Sequence, residues 1–252
     1  MKISGLLRQT LIDYSTKLAC EIFSAGCNYN CPSCHSKHII HGDSDYSEKE
    51  IFDYLDRGRG FIDGVVICGG EPTIQNDLPE FISEIKKYNV AVKLDTNGSN
   101  PKMLNNLLDK KIVDYVAMDV KGPKHLYSQL IGRNGLRFSF GDIETSIKLV
   151  SQFPGHEFRT TIVPVARKSN KFGFLAPNEI GETAKWIFEI TQNNTHRYYL
   201  QKFVARSKQE MLNEKFCREN LPAKLCETPI NLMQKMKEQA IEYLPNCLIR
   251  NG

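Results

Sequence analysis

Short apolar runs alternate along the chain with longer stretches in which apolar residues recur every three or four positions. The runs have the length of buried strands and the stretches have the period of amphipathic helices, so their alternation predicts βαβ units around a parallel sheet. We therefore predict an α/β fold. The predicted strands cover residues 18–23, 64–68, 91–94, 115–119, 157–163 and 198–202.

Local signals mark where helices begin. Ser47 and Glu50 have the spacing of a capping box ahead of an apolar periodic stretch. Asp142 is predicted to cap a helix over residues 143–150. The only tryptophan, Trp186, lies on the apolar side of a later helical stretch, which predicts a position in the core.

The pattern changes from about residue 207, where a polar helical segment and a stretch with proline and cysteine follow the last predicted strand. We predict a barrel domain over residues 1–205 and an extension over 206–252 that packs on the same domain. Within the extension, a helix is expected over 228–243 and a last strand over 247–250.

Composition and charge restrict the function only mildly. The chain has 252 residues, of which 41% are hydrophobic and 25% charged, as in ordinary globular proteins. A net charge of +4 leaves a nucleic-acid partner open without favouring it. The sequence has neither a signal-peptide core nor a stretch long enough to cross a bilayer, so we expect a cytoplasmic protein without a membrane partner.

Three of the eight cysteines, Cys27, Cys31 and Cys34, follow the first predicted strand with the spacing Cys-x3-Cys-x2-Cys. Such crowding fits a reducing compartment better than a disulfide framework. Three thiolates can hold a [4Fe–4S] cluster with one iron left open, whereas a cluster used only for electron transfer normally has four. With His38, the same loop could instead be the zinc site of a non-enzymatic interaction module.

A glycine-rich turn, Gly69-Gly70-Glu71-Pro72, follows the second predicted strand. Paired glycines allow the backbone to approach a ligand closely. Glu71 offers a carboxylate to an ammonium group. The turn is therefore a second candidate for the binding site.

The next two strands also end in polar residues. Asp95, Thr96 and Asn97 end one strand, and Asp119 and Lys121 end the other. Since ligands of parallel α/β folds lie at the carboxyl ends of the strands, we expect these side chains to share one mouth. Carboxylates bind hard cations, so a monovalent cation is predicted near the two aspartates.

Together these segments resemble the radical S-adenosylmethionine (SAM) superfamily. The stretches Gly-Gly-Glu-Pro-Thr, Leu-Asp-Thr-Asn-Gly-Ser-Asn-Pro and Asp-Tyr-Val-Ala-Met-Asp-Val-Lys are similar to those of enzymes that activate glycyl radical enzymes, above all anaerobic ribonucleoside-triphosphate reductase. The likeness covers residues 1 to about 205. It implies a partial, six-stranded (β/α) barrel with a short C-terminal helical extension.

The resemblance implies that Cys27, Cys31 and Cys34 hold a [4Fe–4S] cluster whose open iron binds SAM. An electron from a flavodoxin or ferredoxin would then cleave SAM to methionine and a 5′-deoxyadenosyl radical. That radical would take a hydrogen atom from a glycine of a partner enzyme. The alternative within the superfamily is an enzyme that acts directly on a small molecule, RNA or a peptide.

The resemblance also implies a set of residues that bind the cofactor: Tyr29, Gly69, Gly70, Glu71, Asp95, Thr96, Asn97, Asp119, Lys121, Arg159, Val163 and Gln201. Tyr29 enters this set because the chain has Ser33 where relatives place an aromatic residue beside the adenine. No cysteine-rich module follows the third cysteine, so one cluster is expected unless Cys217 and Cys226 hold another.

A protein substrate would need a docking surface beside the mouth of the barrel. Lys121, Lys124, Arg133 and Arg137 follow the fourth predicted strand, where they could line a basic surface. A solvated basic face without a partner is the other interpretation of these four residues.

Overall fold

The computed structural model describes residues 1–40, 42, 44–132, 138–167 and 172–250. Arg133 and Arg137, two of the residues predicted for a docking surface, lie outside the described residues. The part that is described contains one large sheet with helices against it, together with a small two-stranded hairpin.

The strands are β1 (Ile3–Thr10), β2 (Ala19–Ser24), β3 (Gly64–Gly69), β4 (Ala91–Thr96), β5 (Tyr115–Asp119), β6 (Gly155–Ile162), β7 (Pro164–Ala166), β8 (Phe172–Phe174), β9 (Tyr198–Lys202) and β10 (Cys247–Arg250). The α-helices are α1 (Lys37–Ile40), α2 (Glu48–Arg57), α3 (Leu78–Lys86), α4 (Pro101–Lys110), α5 (Lys124–Leu130), α6 (Phe140–Val150), α7 (Pro177–Thr191) and α8 (Ile230–Ala240).

Eight strands form the large sheet in the order β1-β2-β3-β4-β5-β6-β9-β10. Every neighbouring pair is parallel except β1 and β2, which are antiparallel. The six predicted strands are present as β2 to β6 and β9. The structure thus confirms the α/β class, with the strand order of a partial barrel.

The edge strand β1 has no counterpart among the predicted strands. Its apolar residues form no continuous run, and three consecutive positions, Leu7 to Gln9, are exposed. Buried parallel strands are recognisable because both faces are covered. An edge strand with one open side lacks that pattern.

One predicted helix cap is wrong. Ser139, not Asp142, caps α6, because its hydroxyl accepts a hydrogen bond from the Asp142 backbone N–H at 3.4 Å. Asp142 lies in the first turn instead, where its carboxylate interacts favourably with the helix dipole. The predicted capping box of Ser47 and Glu50 is present at the start of α2.

The two faces of the sheet differ in chemistry. One face packs against the helices in the main hydrophobic core, which includes Trp186 at 5% exposure, as predicted. On the other face, Tyr14, Val66 and Cys68 form part of a small separate cluster. Because side chains alternate along a strand, the charged residue Lys93 of β4 points to this second face.

The C-terminal part of the chain joins the same sheet. β10 pairs in parallel with β9, and α8 packs on α7. The predicted last strand is therefore present, whereas the helix ends at Ala240 rather than near residue 243. Within the described residues, no helix combines the length and the hydropathy needed to cross a membrane.

A histidine pair, of which His196 is buried and His156 half-buried, connects the starts of β6 and β9. Nε2 of His156 lies 2.9 Å from Nδ1 of His196, and Nδ1 of His156 lies 3.1 Å from the Phe153 carbonyl oxygen. Burial, together with a smaller effect of the neighbouring His156, lowers the pKa of His196 to about 4. The pair is therefore neutral in the folded protein at pH 7.

We predict that the histidine pair makes the fold sensitive to acid. A pKa below that of the unfolded chain means that stability is fully present above about pH 6.5 and is lost as the pH falls toward 4. Between pH 7 and pH 5, wild type should lose about 1–2 kcal/mol more unfolding free energy than His196→Leu. Urea unfolding at both pH values measures this, with the exposed His38→Leu as control; equal losses in wild type and His196→Leu would refute it.

Candidate active site at the carboxyl ends of the strands

The three cysteines lie on the loop between β2 and α1, and each is a half-buried free thiol. The loop turns tightly, since the Cys34 N–H donates to the Cys31 carbonyl oxygen at 3.0 Å. Burial raises the pKa of Cys27 to about 12 and that of Cys31 to about 11. A metal centre bound here would therefore have to displace thiol protons.

A close backbone approach joins this loop to the glycine-rich turn. The Glu71 N–H donates to the Gly26 carbonyl oxygen at 2.9 Å, and the Gly70 N–H donates to the Ser24 carbonyl oxygen at 2.9 Å. A Cβ atom at Gly70 would lie 1.8 Å from the Gly26 oxygen. Only glycine permits this contact, which sets the cysteine loop directly against the end of β3.

Glu71 is 1% exposed, and protein donors occupy both of its oxygens. Oε1 accepts from the Thr73 N–H at 3.2 Å, from the Thr73 hydroxyl at 2.5 Å and from the Thr96 hydroxyl at 2.7 Å. Oε2 accepts from the Asn97 N–H at 2.6 Å. This carboxylate therefore holds the turn to the end of β4, and its predicted contact with an ammonium group of a ligand stays a prediction.

Asn97 continues the connection to the cysteine loop. Its Nδ2 donates to Asn28 Oδ1 at 3.0 Å and lies 4.0 Å from the sulfur of Cys27. Asn28 Nδ2 in turn donates to the Ser99 hydroxyl at 2.7 Å. Asn28 carries no sequence signal, because a polar residue in a loop has no periodicity and acquires a role only from its spatial neighbours.

An ion-pair network covers the inward face of β4, β5 and β6. The Arg159 guanidinium bridges Asp95 at 2.8 Å and Asp119 at 2.9 Å. Lys93 lies 3.0 Å from Asp95, and Lys121 lies 2.9 Å from Asp119. Three cations thus accompany two carboxylates in this network, and Glu21, on the same face, interacts with Lys93 and Asp95.

This network surrounds the two aspartates near which a monovalent cation is predicted, and that cation stays a prediction. Asp95 and Asp119 do lie together, but Arg159 occupies the place between them. A guanidinium can donate in several directions at once and so can bridge two carboxylates. Although burial raises the pKa of Asp119, Arg159 and Lys121 hold it well below its usual range, so the carboxylate stays charged.

The remaining residues predicted to bind the cofactor differ in how deeply they are buried and in where they lie. Tyr29 is 4% exposed and packs in the main core, and Val163 is 7% exposed. Gln201 is half-buried at the end of β9, where its Oε1 lies 3.5 Å from the Thr161 hydroxyl. Gly69 lies at the end of β3 with φ near +100°.

The Lys124 side chain is half exposed and contacts α6 and α7. Its amine lies 2.5 Å from a Glu144 oxygen and 4.9 Å from the centre of the Trp186 ring. That Lys124 lines a docking surface for a partner stays a prediction.

The donor set fits an iron–sulfur cluster better than a single ion. No three His, Cys, Asp or Glu side chains within the described ranges are arranged as ligands of one metal ion. A cluster contains several irons, so its thiolates need not converge on one point. Lys121 adds a positive charge close enough to Cys31 to oppose the rise in the pKa of that thiol. His38, the fourth candidate ligand of a zinc site, is exposed on α1.

Comparison with known proteins places the chain in a family. Residues 22–165, more than half of the chain, match the model of the radical SAM superfamily, and the chain belongs to this superfamily. It is therefore a radical SAM enzyme, a class for which a [4Fe–4S] cluster and SAM are the implied cofactors.

Individual relatives differ in what their names say they do. A Methanocaldococcus jannaschii protein, provisionally named glycyl-radical enzyme activating enzyme MJ1227, is 30% identical over 255 residues, covering 98% of this chain and 95% of its own. A 7-carboxy-7-deazaguanine synthase of Clostridium acetobutylicum is 27% identical and covers 68% of this chain and 80% of its own. The structure of QueE from Escherichia coli is similar in fold, with a TM-score of 0.55 at 16% identity, over 99% of this chain and 92% of that one.

We predict that Gly70→Ala separates the cysteine loop from the turn after β3. The added methyl group collides with backbone at Gly26, and overpacking of this kind costs about 1–3 kcal/mol. Reconstituted Gly70→Ala should hold less iron and bind SAM more weakly than wild type, by iron analysis and calorimetry. Gly173→Ala is the control, since its Cβ would meet nothing closer than 3.8 Å; equal behaviour of the two variants would disprove the steric argument.

Proposed function

We propose that Cys27, Cys31 and Cys34 hold a [4Fe–4S] cluster that serves the reductive cleavage of SAM, and that the enzyme installs a glycyl radical on a partner enzyme. The observation that supports the second part most is the M. jannaschii relative, which matches over nearly the whole of both chains. A flavodoxin or ferredoxin is the proposed electron donor.

The residues of the mouth have separable roles in this proposal. The cluster, when bound, supplies the electron that cleaves SAM to methionine and a 5′-deoxyadenosyl radical. The Arg159 and Lys121 side chains attract the SAM carboxylate. The backbone at Gly69 and Gly70 meets the methionyl amino group, while Glu71 holds that backbone in place.

Other residues border the nucleoside part of SAM in the proposal. Thr96 and Asn97 lie at the end of β4. Val163 directly follows β6, and Gln201 lies near the end of the neighbouring strand β9. Tyr29 supports the cysteine loop from the core. A monovalent cation near Asp95 and Asp119 remains part of the proposal, beside the Arg159 bridge between the two carboxylates.

A second candidate function follows from another relative. The chain is 27% identical to a 7-carboxy-7-deazaguanine synthase over 188 residues. This observation favours a radical SAM enzyme that acts on a small molecule. The two candidates share the cluster and SAM and differ in the hydrogen-atom donor, so the substrate must be tested separately from the cofactors.

We predict that Cys27→Ala, Cys31→Ala and Cys34→Ala each reduce SAM cleavage to the background without enzyme. Loss of one of only three thiolates exposes a second iron and makes the cluster labile. Chromatographic detection of 5′-deoxyadenosine after anaerobic reconstitution and reduction measures this. Cys247→Ala, which truncates a core thiol at 1% exposure, is the control and should retain turnover. Turnover by Cys31→Ala would overturn the ligand assignment.

We predict that SAM, a reductant and a glycyl radical enzyme from the same genome together give a doublet electron paramagnetic resonance signal on that partner. The signal arises because the unpaired electron couples to the remaining α-hydrogen of the glycine. A partner whose radical-bearing glycine is replaced by alanine is the control. Turnover of a small molecule with no protein signal would favour the second candidate and leave the cofactor assignment intact.

A further inference from the structure

The part of the chain beyond the family match returns to the cysteine loop. The match ends at residue 165, yet residues 207–212, which we call the clasp, lie against the third cysteine. The Leu212 N–H donates to the Cys34 carbonyl oxygen at 2.8 Å, and the Lys37 N–H donates to the Glu210 carbonyl oxygen at 3.2 Å. In one bond the clasp donates to the cysteine loop, and in the other the start of α1, just after that loop, donates to the clasp. Together the two bonds hold the segments against each other.

The clasp has its own internal structure. The Ser207 N–H and hydroxyl both donate to Glu210 Oε2, at 3.1 and 2.6 Å, and the Met211 N–H donates to the Ser207 carbonyl oxygen at 3.1 Å. The Met211 side chain is 0% exposed in the main core. The clasp is therefore a closed turn with an apolar anchor rather than a loose connection.

Contacts on either side attach the clasp to the body of the protein. The Ala205 N–H donates to the Cys226 carbonyl oxygen at 2.7 Å, just before the clasp. After it, the Phe216 ring packs edge-on against Phe172, with ring centres 5.3 Å apart. A movement of the clasp would thus break contacts with the core, which makes it a firm support for the loop.

The middle of the cysteine loop is supported from a different side. The Asn30 N–H donates to the Ile131 carbonyl oxygen at 3.0 Å, and a Cβ atom at Gly132 would lie 1.8 Å from the Asn30 oxygen. This contact lies between Cys27 and Cys31. The clasp bonds lie at Cys34 and beyond, so the third thiol has a support that the other two do not share.

We propose that the clasp is a positioning element for the cluster: it fixes Cys34, and the extension over residues 206–252 thereby governs how firmly the loop retains iron while contributing no ligand of its own. The inference depends on the cysteine ligands of the proposed function. It does not depend on the glycyl radical or on any other substrate.

Two buried methionines of the extension provide a matched test. Met211 anchors the clasp, whereas Met233 lies on α8, and both are 0% exposed. Met211→Ala and Met233→Ala each leave a core cavity of similar chemistry. Two readouts apply: hydrogen exchange of residues 27–37 in the cluster-free protein, and iron loss to a chelator from the reconstituted protein.

In Met211→Ala, the backbone amides of residues 27–37 should exchange faster than in wild type. Its affinity for iron should be roughly 10- to 100-fold lower, the range typical when a residue that orients metal ligands is lost. Met233→Ala should match wild type in both readouts. Equal effects of the two variants would reduce the clasp to ordinary packing and overturn the proposal.

Ser207→Ala keeps the test decisive if Met211→Ala does not fold. It removes the hydroxyl bond to Glu210 without a core cavity, and Ser139→Ala, at the cap of α6, is its control. Faster loop exchange in Ser207→Ala alone supports the clasp, and unchanged exchange refutes it. If wild-type protein bound no iron, the assignment of the three cysteines as ligands would be refuted. Hydrogen exchange in the cluster-free protein would still show whether the clasp supports the loop.

Discussion

The buried carboxylate of Glu71 is the interaction on which the rest of the site depends. Four donors from Thr73, Thr96 and Asn97 converge on it, and it is almost completely removed from water. A buried donor without a partner costs about 1–3 kcal/mol. Loss of the Glu71 carboxylate would leave several donors unpaired at once and would destabilise the fold by a multiple of that cost. Through Glu71 the turn after β3 is tied to the end of β4, and through Asn97 to the cysteine loop.

A second constraint comes from the alternation of side chains along the strands. The period that sends apolar residues toward the helices sends Lys93, Asp95, Asp119 and Arg159 to the opposite face. Charges placed there are costly unless they are paired. The Arg159 bridge satisfies that requirement for both carboxylates, and Lys121 places a further positive charge near Cys31.

The site lies mostly, but not wholly, within the segment that matches the superfamily. The cysteine loop, the turn after β3 and the end of β4 lie within the segment that matches the superfamily. Residues 207–212 lie outside it but hold the same loop through Leu212 and Glu210. The cysteine loop thus combines residues of the matched segment with a support from outside it.

The sequence alone determined the parallel strands, because buried strands such as β3 read as continuous apolar runs, and it determined which residues meet at the strand ends. It did not reveal the edge strand β1, whose open side lacks that pattern. Only the tertiary structure decided that Glu71 faces protein donors, that Arg159 bridges Asp95 and Asp119, and that Leu212 supports Cys34. Each of these contacts joins residues that lie far apart in the chain, and local periodicity carries no information about such approaches.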